Sequence, residues 1–183
     1  MEMKAIHAAA ERDRDAVARF LQDIIGIKSL SCEEKQVAQR IAEEMRKVGF
    51  DEVRIDGLGN VIGRIGSGPR VVAMDAHIDT VDVGNPELWK IDPFSAVLRE
   101  EKIWGRGACD MKGAMASLVY GGKLVKELGL AKNLSLYVTG TVMEEDCDGL
   151  CWQYILREKV IDPWPECVLI AEPTNMNIYR GHR

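Results

Sequence analysis

Long apolar runs are missing from this chain of 183 residues. The longest uninterrupted hydrophobic stretch is the five residues from Cys167 to Ala171, whereas a membrane-spanning helix needs about 20. The first residues, Met1 to Arg14, contain no apolar segment of the kind found in secretory signals. We therefore expect no membrane partner and a cytoplasmic location.

An excess of positive charge is also missing. The chain has 24 Lys and Arg against 29 Asp and Glu, so its formal net charge is -5. A protein that binds nucleic acid needs a basic surface, so we expect no nucleic-acid partner. The 5 cysteines are scattered and odd in number, which is not typical of a disulfide framework and indicates a reducing compartment.

The composition that remains is that of a folded protein. Hydrophobic residues make up 46% of the chain and charged residues 29%, which is enough apolar material for a core and excludes global disorder. The length fits one domain or slightly more.

Hydrophobic periodicity predicts two helices near the N-terminus. The segment 15–27 repeats apolar residues at the helical period. Ser31, followed three residues later by Glu34, has the spacing of a capping box that would begin a second helix. Gly49 is placed to end that helix.

After Gly49 the pattern predicts strands that alternate with helices. Short β-branched runs indicate strands at 53–55, 61–65, 71–74, 134–142 and 168–171, and a hairpin at 97–104. Helical patterns cover 111–128 and 149–159, and 82–94 is a loop. This alternation predicts an α/β fold with a mixed, mostly parallel sheet and helices on both faces.

The first candidate site residues follow the strand predicted at 71–74. His77 and Asp79 suit a metal ligand and a neighbouring carboxylate that acts on its ring, although a hydrogen-bonded surface histidine is the alternative. Asp110 lies among glycines where a helix begins. It is either an N-cap in a turn or a carboxylate held rigidly towards a metal pair.

Three glutamates follow the later strands. Glu144 and Glu145 come directly after the strand predicted at 134–142, and Glu172 follows the strand predicted at 168–171. Each has a solvent-exposed loop acid as its alternative. In an open α/β sheet, however, residues beyond the carboxyl ends of parallel strands meet in one crevice. One imidazole with several carboxylates suits Zn²⁺ or a similar divalent ion.

Four short motifs together resemble a known family. They are His77-Ile78-Asp79-Thr80, Gly105-Arg106-Gly107 with Asp110-Met111-Lys112-Gly113, Glu144-Glu145, and Glu172-Pro173-Thr174. In this order the chain resembles the zinc-dependent metallopeptidases and deacylases that include acetylornithine deacetylase, succinyl-diaminopimelate desuccinylase, aminoacylase and glutamate carboxypeptidase. The resemblance covers nearly the whole chain and implies a di-zinc aminopeptidase-like fold, truncated before a lid and dimerisation domain.

The resemblance implies a role for each candidate residue. His77 and Glu172 would bind the first metal, Asp110 would bridge both metals, Glu145 would bind the second, Glu144 would be the general base, and Asp79 would adjust the ring of His77. A cis peptide often follows the bridging aspartate in that family. The implied cofactors are two divalent ions, Zn²⁺ first and Co²⁺ or Mn²⁺ as alternatives. The implied reaction is hydrolysis of an amide bond in a small N-acyl amino acid or short peptide.

One part of the family pattern is missing. The second metal also takes a histidine far downstream, and neither His7 nor His182 matches it; we interpret both as exposed or structural. We therefore expect residues 1–179 to be the N-terminal part of a catalytic domain and 180–183 to begin the crossing into a lid domain. The sheet should then have an unpaired strand edge, and the full-length protein is expected to form a homodimer. The alternative function is an inactive fragment or a non-catalytic metal-binding α/β module.

Overall fold

The computed structural model describes residues 2–147 and 149–180. Its helices are α1 (Glu2–Gly26), α2 (Lys35–Lys47), α3 (Gly113–Glu127) and α4 (Leu150–Arg157). Its strands are β1 (Glu52–Ile55), β2 (Val61–Ile65), β3 (Arg70–His77), β4 (Val97–Arg99), β5 (Lys102–Trp104), β6 (Leu134–Thr141) and β7 (Cys167–Ile170). A short 3-10 turn, Pro86–Leu88, lies in the predicted loop. Every predicted helix and strand is present, and His182 lies outside the described residues.

The strands form one mixed sheet and one small hairpin. The sheet has the order β1-β2-β6-β3-β7, and β4 pairs with β5 as predicted. Strand β3 is parallel to both β6 and β7, whereas β2 is antiparallel to β1 and β6. The mixed α/β sheet is therefore confirmed, but its parallel part is limited to β6, β3 and β7. The carboxyl ends of these three strands lie at the same edge.

Helices cover both faces of this sheet. On one face, α1, α2 and α3 enclose the main core, whose members include Phe20, Ile41, Met115 and Val138. On the other face, Ile155 of α4 packs with Val71 and Ile161 in a smaller cluster. None of the described helices has the length and hydropathy that a bilayer crossing requires.

The predicted capping box is wrong. Helix α2 begins at Lys35, and its N-cap Glu34 makes no side-chain cap hydrogen bond. The Ser31 hydroxyl instead donates to Asp79 at 2.7 Å, and the Glu34 carboxylate accepts from the backbone N–H of Met143 at 2.9 Å. Both side chains have tertiary partners at the strand ends, and these replace the local cap.

Strand β7 forms an open edge of the sheet. Among the described residues it pairs only with β3. Its apolar side chains are poorly covered, with Val168 36%, Leu169 53% and Ile170 56% exposed. The expected unpaired strand edge is thus present.

Candidate metal centre

Strand β3 ends at His77, whose imidazole is buried. Its Nδ1 lies 3.0 Å from the backbone carbonyl oxygen of Asp79 and 3.4 Å from a carboxylate oxygen of the same residue. Because a carbonyl oxygen only accepts hydrogen bonds, Nδ1 carries the proton in this contact. The other ring nitrogen, Nε2, lies 3.0 Å from Asp110 Oδ1. The ring is therefore oriented by the backbone on one side and faces acids on the other.

The second acid, Asp110, lies in an irregular segment just before α3. Gly107 begins this segment with φ 76, in the left-handed region, and the Asp110–Met111 peptide bond is cis. The N-cap of α3 is Lys112, so the capping alternative for Asp110 does not hold. The buried Lys112 ammonium donates to the carbonyl oxygens of Ile24 and Ile27, each at 2.8 Å, and so attaches the segment to the end of α1.

Glu144 and Glu145 follow β6, and Asp79 binds the backbone of both. Its carboxylate oxygens accept the N–H of Glu144 and the N–H of Glu145, each at 3.1 Å. One carboxylate oxygen of Glu144 lies 4.0 Å from His77 Nε2. Asp79 thus touches both the histidine and the glutamate pair, a wider contact than the sequence predicts.

Glu172, after β7, completes a group that could hold an ion. One ligand atom each from His77, Asp110 and Glu172 lies within 4.8 Å of the other two. Among the described residues, Glu145 is not a member of this group. An imidazole nitrogen with two carboxylates is a donor set that suits Zn²⁺ and related divalent ions. The exposed His7 on α1 is far along the chain from these residues.

The charges in the site are also suited to a cation. Burial raises the pKa of Glu172, and the nearby carboxylates of Asp110 and Glu145 raise it further, against the opposing effect of His77. Burial and Asp110 raise the pKa of Glu145 in the same way. Burial alone would lower the pKa of His77, but its contacts with Asp79 and Asp110 raise it to about 9. Carboxylates in excess of one imidazolium repel one another, and a divalent cation relieves that repulsion.

A cavity of about 680 Å³ adjoins the site. Its lining combines His77, Glu144 and Glu172 with Trp152 and Tyr179. A cavity of this size, with apolar walls and a few polar groups, is typical of small-molecule sites.

Sequence reasoning missed a buried acid in the cavity wall. Asp75 lies on β3, two residues before His77, and therefore on the same face of the strand. Its carboxylate accepts hydrogen bonds from the hydroxyls of Thr139 and Thr141. Burial raises the pKa of Asp75, although these hydrogen bonds oppose the shift. The available signal was an aspartate at the end of an otherwise apolar strand.

Comparison with known proteins relates the chain to one family of peptidases. The sequence profile described as peptidase family M20/M25/M40 matches residues 73–180. An uncharacterized Escherichia coli (strain K12) protein, YgeY, is 57% identical over 167 residues, which are 91% of this chain and 41% of that protein. A probable succinyl-diaminopimelate desuccinylase of Staphylococcus epidermidis is 29% identical over 90% of this chain and 41% of its own length. The chain thus spans about two fifths of these relatives.

Solved structures share the fold. The dipeptidase Dug1p from Saccharomyces cerevisiae superposes with a TM-score of 0.79 at 20% identity, covering 93% of this chain and 41% of that one. The Bacillus subtilis YXEP protein, described as a dinuclear metal binding peptidase from the M20 family, gives a TM-score of 0.61 at 16% identity, covering 87% and 43%. The family profile and the shared fold agree on one class of protein, that of the M20-type metallopeptidases. The chain belongs to peptidase family M20/M25/M40.

Proposed function

We propose that this chain provides the metal site and general base of a hydrolase that cleaves an amide bond in a small N-acyl amino acid or short peptide. The observation that carries the proposal is the group His77, Asp110 and Glu172, with ligand atoms within 4.8 Å, beside a Glu144 carboxylate 4.0 Å from the same imidazole. The desuccinylase and dipeptidase relatives support this substrate class.

The residues present suit one divalent ion and supply part of the ligand set for a second, with Zn²⁺ as the proposed metal. His77 and Glu172 would hold the first ion, Asp110 would bridge, and Glu145 would hold the second. When bound, such ions supply the positive charge that activates water and polarises an amide carbonyl. The second ion would need further ligands besides Asp110 and Glu145, because zinc in proteins usually has four.

Glu144 would carry the proton in this reaction. Its side chain is about one third exposed, so water from the cavity reaches its carboxylate, and its backbone is fixed by Asp79. A carboxylate there can accept a proton from the attacking water and return it to the leaving amine. Asp79 would act indirectly, by holding His77 and the glutamate backbone in place.

The proposal extends to the whole protein. We propose that residues 1–179 are the N-terminal part of a catalytic domain, that 180–183 begin the crossing to a lid, and that the full-length protein forms a homodimer in the cytoplasm. The coverage of 41% of the YgeY relative supports a longer protein.

Zinc titration followed by hydrolysis assays tests this function. Calorimetric titration of the 183-residue chain with Zn²⁺ should show binding that His77→Ala abolishes and His7→Ala, an exposed histidine on α1, leaves unchanged. In the full-length protein, Glu144→Gln should lower kcat by a factor of about 10² to 10⁴ while zinc content is retained.

The matched control for the assay is Glu43→Gln, which alters an exposed glutamate on α2. Equal zinc affinity in the His77 and His7 variants would overturn the metal assignment. Zinc binding by a wild-type full-length protein that hydrolyses none of the N-acyl amino acids and dipeptides would favour the non-catalytic module instead.

A further inference from the structure

Four consecutive backbone N–H groups after β6 donate to side chains of other segments. The N–H of Val142 donates to Asn60 Oδ1 at 3.0 Å, and that of Met143 donates to Glu34 Oε1 at 2.9 Å. The next two, from Glu144 and Glu145, donate to the two oxygens of Asp79. The backbone that carries the proposed base is therefore held one residue at a time from outside its own strand.

Asn60 and Glu34, the acceptors for the first two N–H groups, are themselves buried and held in place. Asn60 is fully buried and Glu34 is 4% exposed. The Asn60 amide donates to Asp56 at 2.8 Å, which orients its oxygen towards Val142. Glu34 Oε1 also accepts the N–H of Cys32 at 3.0 Å, so one oxygen joins the α1–α2 connection to the segment after β6. Water cannot readily replace acceptors in such positions.

The segment needs these acceptors because it cannot continue the sheet. Strand β6 ends at Thr141, and Met143 has φ 58, in the left-handed region that a methionine seldom adopts. Such a conformation persists only when surrounding contacts determine it. The hydrogen bonds to Asn60 and Glu34 come from the two residues immediately before the glutamates, and they hold the backbone in this conformation.

We propose that Glu34 and Asn60 are positioning residues for the hydrolytic reaction, acting by fixing the backbone that aims Glu144 at the site. This inference rests on the proposed function. Neither residue lines the cavity described above or belongs to the metal group. Their effect depends on an acceptor oxygen at each position, and at Glu34 the negative charge is not required.

Removal and restoration of the Glu34 acceptor is the decisive test. In the full-length protein, Glu34→Ala should lower kcat by about 10- to 100-fold, the range seen when residues that support active-site ligands are removed. KM and zinc content should change by less than a factor of about two, because the metal group lies on other segments. Glu34→Gln retains an oxygen acceptor and should recover most of the wild-type kcat.

Glu33→Ala, at the exposed neighbouring position, is the matched control and should behave as wild type. Asn60→Ala is the second variant and should show the same split between kcat and KM. If circular dichroism shows that Glu34→Ala is unfolded, the Asn60→Ala variant tests the proposal in its place. Unchanged kcat in a folded Glu34→Ala or Asn60→Ala variant, or equal damage from Glu34→Gln and Glu34→Ala, would overturn the proposal.

Hydrogen exchange separates this inference from the function on which it rests. In the 183-residue chain, the amides of 142–145 should exchange faster in Glu34→Ala than in Glu34→Gln or wild type. That result needs no activity, so it supports the backbone restraint even if the wild-type protein fails to hydrolyse any substrate. Unaltered exchange at these amides would contradict the restraint itself.

Discussion

Glu44 shows how one buried carboxylate can stabilise the contact between two helices away from the site. It lies on α2 with its side chain only 1% exposed and accepts a hydrogen bond from the Tyr120 hydroxyl of α3 at 2.7 Å. Arg40 and Lys47 also donate to it, at 2.8 Å and 3.0 Å. Burial alone would raise the pKa of Glu44, but these hydrogen bonds outweigh burial and lower it. The group is therefore an ionised, fully paired element of the core.

The stability that Glu44 contributes should depend on pH. A carboxyl group whose pKa is lower in the folded state stabilises the fold above its unfolded value, near 4.5, and loses that contribution as pH falls through the folded value. Glu44→Gln should lower the free energy of unfolding by about 1–3 kcal/mol at pH 7. The difference from wild type should shrink below pH 4.5.

Denaturant unfolding at pH 7 and pH 3.5 measures this effect. The exposed Glu43→Gln substitution on the same helix serves as the control and should change little at either pH. A difference between Glu44→Gln and wild type that stays constant from pH 7 to pH 3.5 would refute the role of the charge.

At the residue scale, the sequence predicts which residues form the candidate site but does not predict the hydrogen bonds between them. His77, Asp110 and Glu172 could be grouped because all three follow strands or begin a helix at one edge of the sheet. The hydrogen bond from Glu144 N–H to Asp79 joins residues 65 positions apart, and it depends on the register between β3 and β6. No local pattern encodes that register.

At the scale of elements, periodicity identifies a helix or strand wherever one face is apolar. It misses the first half of α1, which begins at Glu2 rather than near Asp15. That half is rich in alanine and charged residues, so it has no clear apolar stripe. It is helical because alanine favours the helix and because Asp13 pairs with Lys123 of α3. The alanine content can be read from the sequence, whereas the Asp13–Lys123 ion pair is visible only in the structure.

Two adjacent glycines in α3 should respond oppositely to alanine. A Cβ at Gly121 would meet nothing within 4 Å, whereas one at Gly122 would lie 2.7 Å from the Phe50 ring and 3.1 Å from Ile65. Gly121→Ala should raise the free energy of unfolding by about 0.5–1 kcal/mol, because alanine restricts the unfolded chain. Gly122→Ala should lower it by about 1–3 kcal/mol through overpacking.

Paired denaturation curves of the two glycine variants provide the measurement, since each serves as the control for the other. Both have the same gain in intrinsic helix propensity, so a difference in sign isolates the packing of α3 against Phe50 and the sheet. Equal stabilisation by both substitutions would show that α3 does not pack as closely as described.

At the scale of the whole molecule, the open edge at β7 should promote self-association of the 183-residue chain. An exposed apolar edge strand offers unpaired backbone groups and a hydrophobic surface to a second copy. Leu169→Lys should reduce concentration-dependent association, because a charge on an edge strand opposes pairing. Sedimentation velocity over a range of concentrations measures the effect.

Leu98→Lys provides a control matched in exposure. Leu98 lies on β4 of the separate hairpin and is 53% exposed, as is Leu169. A general effect of added charge would reduce association equally in the two variants, and that result would exclude β7 as the contact.

The position of β3 between β6 and β7 has a consequence for the time course of folding. His77 lies on the central strand of the three, while the chain reaches Glu172 only after β7, the last of the described strands. The imidazole and this carboxylate meet only when these non-local parallel pairings have formed, and such pairings are slow because long loops must close first. We therefore expect the metal group to be completed late in folding. An ion bound there would lower the unfolding rate and leave the folding rate unchanged.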